Sequence, residues 1–599
     1  MLEVFRASLP DGFDRVSAPG ASLGVNLLMV EPGRAGAAKL GSVIAVVDAR
    51  LDERADLAGQ VSASRGANDA QLVIAAYERW GTEFPRHLRG EFAIVVWDAR
   101  VRRLVAARDS FGVRPLYYTA APGRFVIASD PEQILASGAI SGAPDDAAVI
   151  DYLSWSFSGR ERTFFEGVKR LRGGHALVAT PASLIIEDYR RLEVPPHRPE
   201  QLDDGRRELR ERFFSAVRGR MRSDHPVLVH LSGGLDSTSI ACVADAILAT
   251  EPGICPSVTA VAALHPGLSA DETPFIRAAS DALRLPTETW DGAHADEHEL
   301  DRAILAGPFG RYTLPGGTQG DMDLARRLGA KSLLSGTGGD QFGTPDGVIQ
   351  DAILEGRWGD AVRFVVDAPG ATLPAAIRVA LRVGKSLSPS WVQALHRPAL
   401  SDERHAPWMT PWALRQPRLI DKEDARPAGA TTFVQRRVWA AFTQARHLTS
   451  IEQVQQHALR NGVDVRFPFM DLDLALFALS LPSAHWPPPW SHERLHRAAL
   501  GDLLPAKIRD RRSKAPFVMA LANRVRRQLG PIRALFASSF WRAEKYVDQV
   551  SARVALARFE AEAQPGPAAI WAVWGTATLE TWLRAVSGYN LSRLGGPNS

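Results

Sequence analysis

A layered α+β region followed by a doubly wound, parallel α/β region with helical additions is the architecture this sequence predicts, and three observations carry it. Upstream of about residue 200, short β-rich runs follow one another at hairpin-like spacing. Downstream, apolar strands alternate with helical patterns, the order expected of a parallel sheet. Between the two, Glu193-Val194-Pro195-Pro196-His197-Arg198-Pro199-Glu200 combines proline with charge as a linker does. The expected domains are residues 1–195 and 204–599, with an insertion near 345–430.

The first region's β-rich runs are 42–47, 92–97, 103–107 and 124–128, close enough together for sheet layers. The second region's expected strands are 227–230, 258–262 and 331–334. Beyond about residue 425 the pattern turns helical. There Trp571, Trp574 and Trp582 recur at helical spacing and are expected to fill a core rather than to recognise a ligand.

Composition narrows the function classes. With 599 residues, 45% hydrophobic and 23% charged, the chain reads as a soluble globular protein of more than one domain. The net charge is only +4, and arginine pairs such as Arg102-Arg103, Arg206-Arg207 and Arg511-Arg512 are scattered, so no nucleic acid partner is expected. Cys242 and Cys255 are the only cysteines and have neither metal-ligand nor disulfide-framework spacing, which predicts a reducing cytoplasm. No apolar run reaches 18 residues and the first residues are not signal-like, so neither a membrane span nor secretion is expected.

The chemistry starts at Ser232-Gly233-Gly234-Leu235-Asp236-Ser237, between the apolar run 227–229 and a helical segment. Glycines without Cβ let backbone N–H groups close on an anion, the helix N-terminus adds positive partial charge, and the two serines add hydroxyl donors. Asp236 would repel phosphates unless a cation lay between, so its presence implies Mg²⁺ on a pyrophosphate. About one hundred residues on, Ser335-Gly336-Thr337-Gly338-Gly339-Asp340 repeats the device directly after a strand. In a doubly wound sheet two adjacent strand ends can clamp one nucleotide, with Asp340 sharing the metal with Asp236. The absence of GxxxxGK[ST] excludes a γ-phosphate-transferring P-loop.

These loops and their surroundings resemble the asparagine synthetase family. Further blocks carry the likeness: 69–71, 75–81, 88–93 and 107–118 upstream, then Asp271-Glu272, 461–471 and 511–517. The resemblance implies an N-terminal Ntn-type αββα layered domain like a class II glutamine amidotransferase. It also implies a C-terminal ATP-pyrophosphatase domain of adenine-nucleotide α-hydrolase fold. It implies ATP contacts from Ser232, Gly233, Gly234, Leu235, Asp236, Ser237, Val261, Ser335 and Gly336, and Mg²⁺ on Asp236 and Asp340. Lys514, in the family's Arg-x-x-Lys block, is implied as the cation that stabilises a tetrahedral intermediate.

The departures select the amine. Position 2 is Leu where the family's amidotransferase has its cysteine nucleophile, Asp48-Ala49 stands for Asn-Gly, and Gln71 replaces an acid, so no glutamine hydrolysis is expected. In the second loop Thr337 stands where some relatives have glutamate, leaving the base to Asp464, to a water or to the substrate amine. Relatives without the cysteine include β-lactam synthetases and lasso-peptide cyclases. The long stretch between Thr337 and Asp464 favours a large substrate and thus the second kind. The expected activity is ATP-dependent amide (macrolactam or isopeptide) formation through an acyl-adenylate, with a peptide substrate and a leader-processing protease as partners. The alternatives are an ammonia-using asparagine synthetase, a β-lactam synthetase-like enzyme and a non-catalytic binding protein.

Overall fold

A computed structural model describes residues 1, 9, 11–31, 36–64, 66–121, 123–156, 159–190, 192–195, 202–266, 271–292, 307–308, 319–342, 347–366, 383–384, 407–416, 427–487, 495–511 and 517–594. Leu2 and Lys514, and most of the expected insertion, lie outside them.

Among the described residues the first region has eleven strands: β1 (Phe13–Ala18), β2 (Ala21–Asn26), β3 (Gly36–Leu40), β4 (Val43–Leu51), β5 (Gly90–Asp98), β6 (Arg103–Arg108), β7 (Tyr117–Ala121), β8 (Arg124–Ala128), β9 (Lys169–Arg170), β10 (His175–Ala179) and β11 (Leu184–Asp188). Antiparallel pairing gives a six-stranded sheet β11-β10-β6-β5-β4-β3, a three-stranded sheet β8-β7-β9 and the β1-β2 hairpin. The alternation along β5 shows how the layers stack. Phe92, Ile94 and Val96 face a helix layer, the segment Asp69–Trp80, while Ala93 and Val95 face Leu116 and Tyr118 near the second sheet. Helices Pro131–Ala136 and Asp146–Leu153 cover the other side of that sheet through Val126 and Tyr117. The order is helix, sheet, sheet, helix, the four layers anticipated.

The second region holds a parallel sheet of β12 (Val227–His230), β13 (Val258–Leu264), β14 (Thr287–Asp291), β15 (Ser332–Leu334) and β16 (Asp464–Arg466), in the order β14-β13-β12-β15-β16. Val227, Leu228 and Val229 are wholly buried, as a strand covered on both faces requires. The chain leaves β12 toward β13 and β14, then returns to β15 on the opposite side. The switch point therefore lies between β12 and β15, where the carboxyl ends of a doubly wound sheet form a crevice.

The two regions share cores. Phe111 and Val113, from the first, are buried in the main cluster of the second, and Phe111 packs on Phe442 with ring centroids 5.5 Å apart. The long helix Pro567–Leu594 closes over the fourth layer, with Trp571, Trp574 and Trp582 buried as expected. Tyr152 hydroxyl lies 2.6 Å from Thr578 Oγ1 there, and Trp571 Nε1 donates to the Tyr152 carbonyl at 3.1 Å.

Buried ion pairs cross the same boundary. Glu452 takes Arg108 at 2.5 Å and Arg170 at 2.7 Å, Asp464 takes Arg114 at 2.8 Å, and Glu91 takes Arg220 at 3.0 Å. Among the described residues no helix is long and apolar enough to cross a membrane.

Candidate functional site

Helix Leu235–Thr250 starts directly at the end of the first glycine loop. Its N-cap, Gly234, has no side chain, so the first-turn N–H groups meet no capping side chain. Gly233 adopts φ +71°, and a Cβ there would lie 2.8 Å from Phe275 Cβ and 2.9 Å from the Ile276 nitrogen. Only glycine satisfies both the left-handed backbone and the close approach. The serines brace the loop: the Ser232 and Ser237 hydroxyls are 2.9 Å apart, and Ser237 Oγ accepts from the Ser232 N–H at 3.1 Å.

The second loop leaves β15, the hydrogen-bonded neighbour of β12, and packs against the first. A Cβ on Gly336 would fall 2.9 Å from the Ser237 nitrogen, and one on Gly339 would fall 2.4 Å from Asp236 Cγ. Two glycines thus let the loops touch, and the residue after the second is Asp340, which is exposed. Thr337 is half-buried, with its hydroxyl 3.0 Å from Ser335 Oγ. Val261 lies in β13, where its carbonyl accepts from the Leu231 N–H at 2.8 Å, tying the first loop's strand to the next.

Three residues that the sequence did not single out stand behind these loops. His496 is 1% exposed and its Nε2 is 3.0 Å from Asp236 Oδ1. His447 faces the second loop, in contact with Met470 Sδ at 3.2 Å; burial pushes its pKa down to about 4, against a smaller upward pull from Asp340. Arg511 donates to the Gly233 carbonyl at 2.9 Å, pairs with Glu272 at 2.7 Å and stacks over Phe275 at 3.9 Å. No motif flags either histidine. Arg511 does have a signal, since it opens the basic block 511–517.

Asp464 is the expected site residue that the fold sends elsewhere. It is the first residue of β16 and pairs in register with Ser332, the first of β15, so it sits at the amino end of the sheet, opposite the loops. Its carboxylate is held between Arg114 at 2.8 Å and Arg466 at 2.9 Å. Burial alone would raise its pKa, but the two guanidinium groups outweigh that and hold it at about 2. A carboxylate so paired is a poor proton acceptor, and it is not brought to the two loops.

The positions that depart from an amidotransferase have local structural work. Gln71 closes a capping box at the start of helix Asp69–Trp80: its side chain accepts from the Asn68 N–H at 2.9 Å while Asn68 Oδ1 accepts from the Gln71 N–H at 2.8 Å. Asp48 lies 3.6 Å from Arg114, its pKa raised by burial despite that arginine. Both ends of this chain of charges, Asp48 and Asp464, line a cavity of about 1260 Å³ that also meets Leu23 and Phe125. Cys242 and Cys255 are buried in the second region, their thiols pushed up to about 12 and about 11 by burial, so neither is a ready nucleophile.

The crevice between the loops suits a nucleotide's phosphates and a divalent cation. The uncapped helix start and the glycine backbone offer N–H donors, and Asp236 abuts the loop that carries Asp340. Among the described residues no group of three potential ligands assembles. Two carboxylates plus phosphate oxygens and water are what Mg²⁺ takes in such sites. Gly339→Ala is expected to push Asp236 aside and lower nucleotide affinity about tenfold, by the ~1–3 kcal/mol that overpacking costs. The far-UV circular dichroism should not change; calorimetric titration with ATP checks this.

Comparison with known proteins follows the same division. The family described as asparagine synthase matches residues 208–584, and the glutamine amidotransferase domain matches residues 51–190. "Amidase chry2" of Gibberella zeae is 32% identical over 342 residues, covering 53% of this chain and 49% of that protein. "Amidase chyE" of Penicillium rubens is 32% identical over 313 residues, covering 48% and 45%. "Asparagine synthetase [glutamine-hydrolyzing] 3" of Bacillus subtilis is 33% identical over 194 residues, covering 32% and 31%. The chain thus spans about half the length, or less, of the curated relatives it matches.

Proposed function

The chain belongs to the asparagine synthase family, and from that premise we propose that it forms amide bonds at the expense of ATP, with an amine other than glutamine-derived ammonia. The single observation that carries the activation half is the packing of Gly339 on Asp236 at the β12/β15 switch point. That packing makes one phosphate-and-metal crevice out of two glycine loops. In the proposed reaction a substrate carboxylate oxygen attacks the α-phosphorus of ATP and pyrophosphate leaves. The amine nitrogen then attacks the acyl carbon, AMP leaves, and the amine proton passes to solvent or to a second amine.

The chain's own residues do the holding. The first-turn N–H groups of Leu235–Thr250, with Ser232 and Ser237, take the pyrophosphate portion, Ser335, Gly336 and Val261 border the nucleotide, and Asp236 and Asp340 would hold Mg²⁺. When bound, Mg²⁺ neutralises charge on the departing pyrophosphate. Lys514 is assigned to the oxyanion of the second step. With Asp464 committed to Arg114 and Arg466, the proton acceptor of that step is a water or a second amine.

The finer reading is a macrolactam-forming cyclase of the lasso-peptide kind, acting on a peptide in the cytoplasm. Support for a new amine comes from the first region. Gln71 is spent in a capping box and Asp48 is turned to Arg114, so the two positions that would bind glutamine have other partners. The decisive assay incubates the protein with Mg²⁺, ATP and lasso-type precursor peptides carrying a free N-terminal amine and an internal Asp or Glu. AMP release with loss of one water from a peptide is the expected result, and glutamine alone should give no glutamate. Asparagine formed from aspartate and ammonium would overturn the cyclase reading and leave the ligase reading standing.

A further inference from the structure

We propose that His496 is a positioning residue for Asp236, fixing the carboxylate that takes the nucleotide's Mg²⁺. This rests on the reading of Asp236 as a metal ligand. His496 lies on the short helix Leu495–Ala499, is 1% exposed, and puts Nε2 3.0 Å from Asp236 Oδ1. Its ring stands edge-on to Phe469 at 5.4 Å, and both ring nitrogens are buried without a well-aligned hydrogen bond, Nε2 meeting the carboxylate as a close polar contact. The imidazole therefore has an apolar wall on one side and a carboxylate at one nitrogen. A core position with no polar duty would be served by a hydrocarbon of similar size, which would spare the cost of an orphaned ring nitrogen.

Asp236 is held from two sides. Gly339 packs on it from the second loop, and His496 touches it from the helix side. An aspartate at the half-buried start of a helix otherwise turns about two torsions. The close approach of Nε2 to Oδ1 restricts the rotamers open to the carboxylate. Partners of this kind behind a metal-ligating carboxylate typically change metal affinity by about 10–100-fold when removed.

The test is calorimetric binding of ATP to the full chain, with Mg²⁺ and in EDTA. His496→Leu is expected to weaken binding of Mg·ATP about tenfold or more and to leave binding of ATP in EDTA unchanged. His496→Gln, whose amide N–H reaches the position of Nε2, should restore most of the loss, and the shorter His496→Asn should not. Should the leucine variant fail to fold, the Gln and Asn pair decides. Equal Mg·ATP affinity in wild type and His496→Leu would overturn the inference. So would equal weakening with and without Mg²⁺, or identical behaviour of folded Gln and Asn variants. A wild type that binds ATP no better with Mg²⁺ than in EDTA would instead overturn the reading of the site itself.

Discussion

Asp236→Ala is expected to abolish ATP–pyrophosphate exchange, by about a thousandfold or more, while Lys514→Ala keeps measurable exchange and loses amide product. The split follows from where charge develops. In the proposed first step negative charge gathers on the leaving pyrophosphate, which the helix start and a cation held by Asp236 would neutralise. A thousandfold loss corresponds to about 4 kcal/mol, in the range of the several kcal/mol attributed to metal-assisted charge stabilisation. In the second step the charge sits on the oxyanion of the tetrahedral intermediate, where one positioned cation is worth about 10²–10³ in rate. Exchange measured with labelled pyrophosphate reads the first step alone, and mass spectrometry of the product reads both. Equal and mild losses in both assays for both variants would sink the division of labour.

How much of this was legible beforehand depends on what holds each element. The strand at 227–230 was read to the residue because it is apolar and covered on both faces, so burial alone writes its sequence. The same rule placed the two glycine loops side by side, since adjacent strand ends in a doubly wound sheet must meet at the switch point. β16 was invisible as a strand. It is three residues long, and two of them, Asp464 and Arg466, are charged and buried only because they pair with each other and with Arg114. Periodicity carries no sign of such a partnership. That is why Asp464, within the family block 461–471, is expected at the loops, whereas its register against Ser332 sets it at the other end of the sheet. β14 was missed for the opposite reason, being a half-exposed polar edge strand. His496 lay outside every motif, and only the packing of Leu495–Ala499 brings its ring to Asp236.

The first region is expected to be indispensable to the second, and Asp464→Asn measures why. Removing the charge leaves Arg466, 2% exposed, without its counter-ion and Arg114, 5% exposed, with Asp48 at 3.6 Å alone. Breaking a buried pair in this way costs about 3–5 kcal/mol, because the residual charge stays desolvated. A urea midpoint at pH 7 far below wild type is the expected result, and an unchanged midpoint would refute it. The pH dependence adds a second check. The folded-state pKa of Asp464, about 2, is below its ordinary value, so its stabilisation is complete above about pH 4 and is lost as pH falls toward 2. The gap between wild type and Asp464→Asn should therefore be widest near neutrality and narrow across that acid window. The same logic extends to Glu452, which holds Arg108 and Arg170, and to Phe111, whose ring completes the core around Phe442. Residues 204–599 expressed alone would leave Glu452 without Arg108 and Arg170, Asp464 without Arg114, and that core open. They are expected to be insoluble, and a soluble, exchange-active product would show the first region to be dispensable.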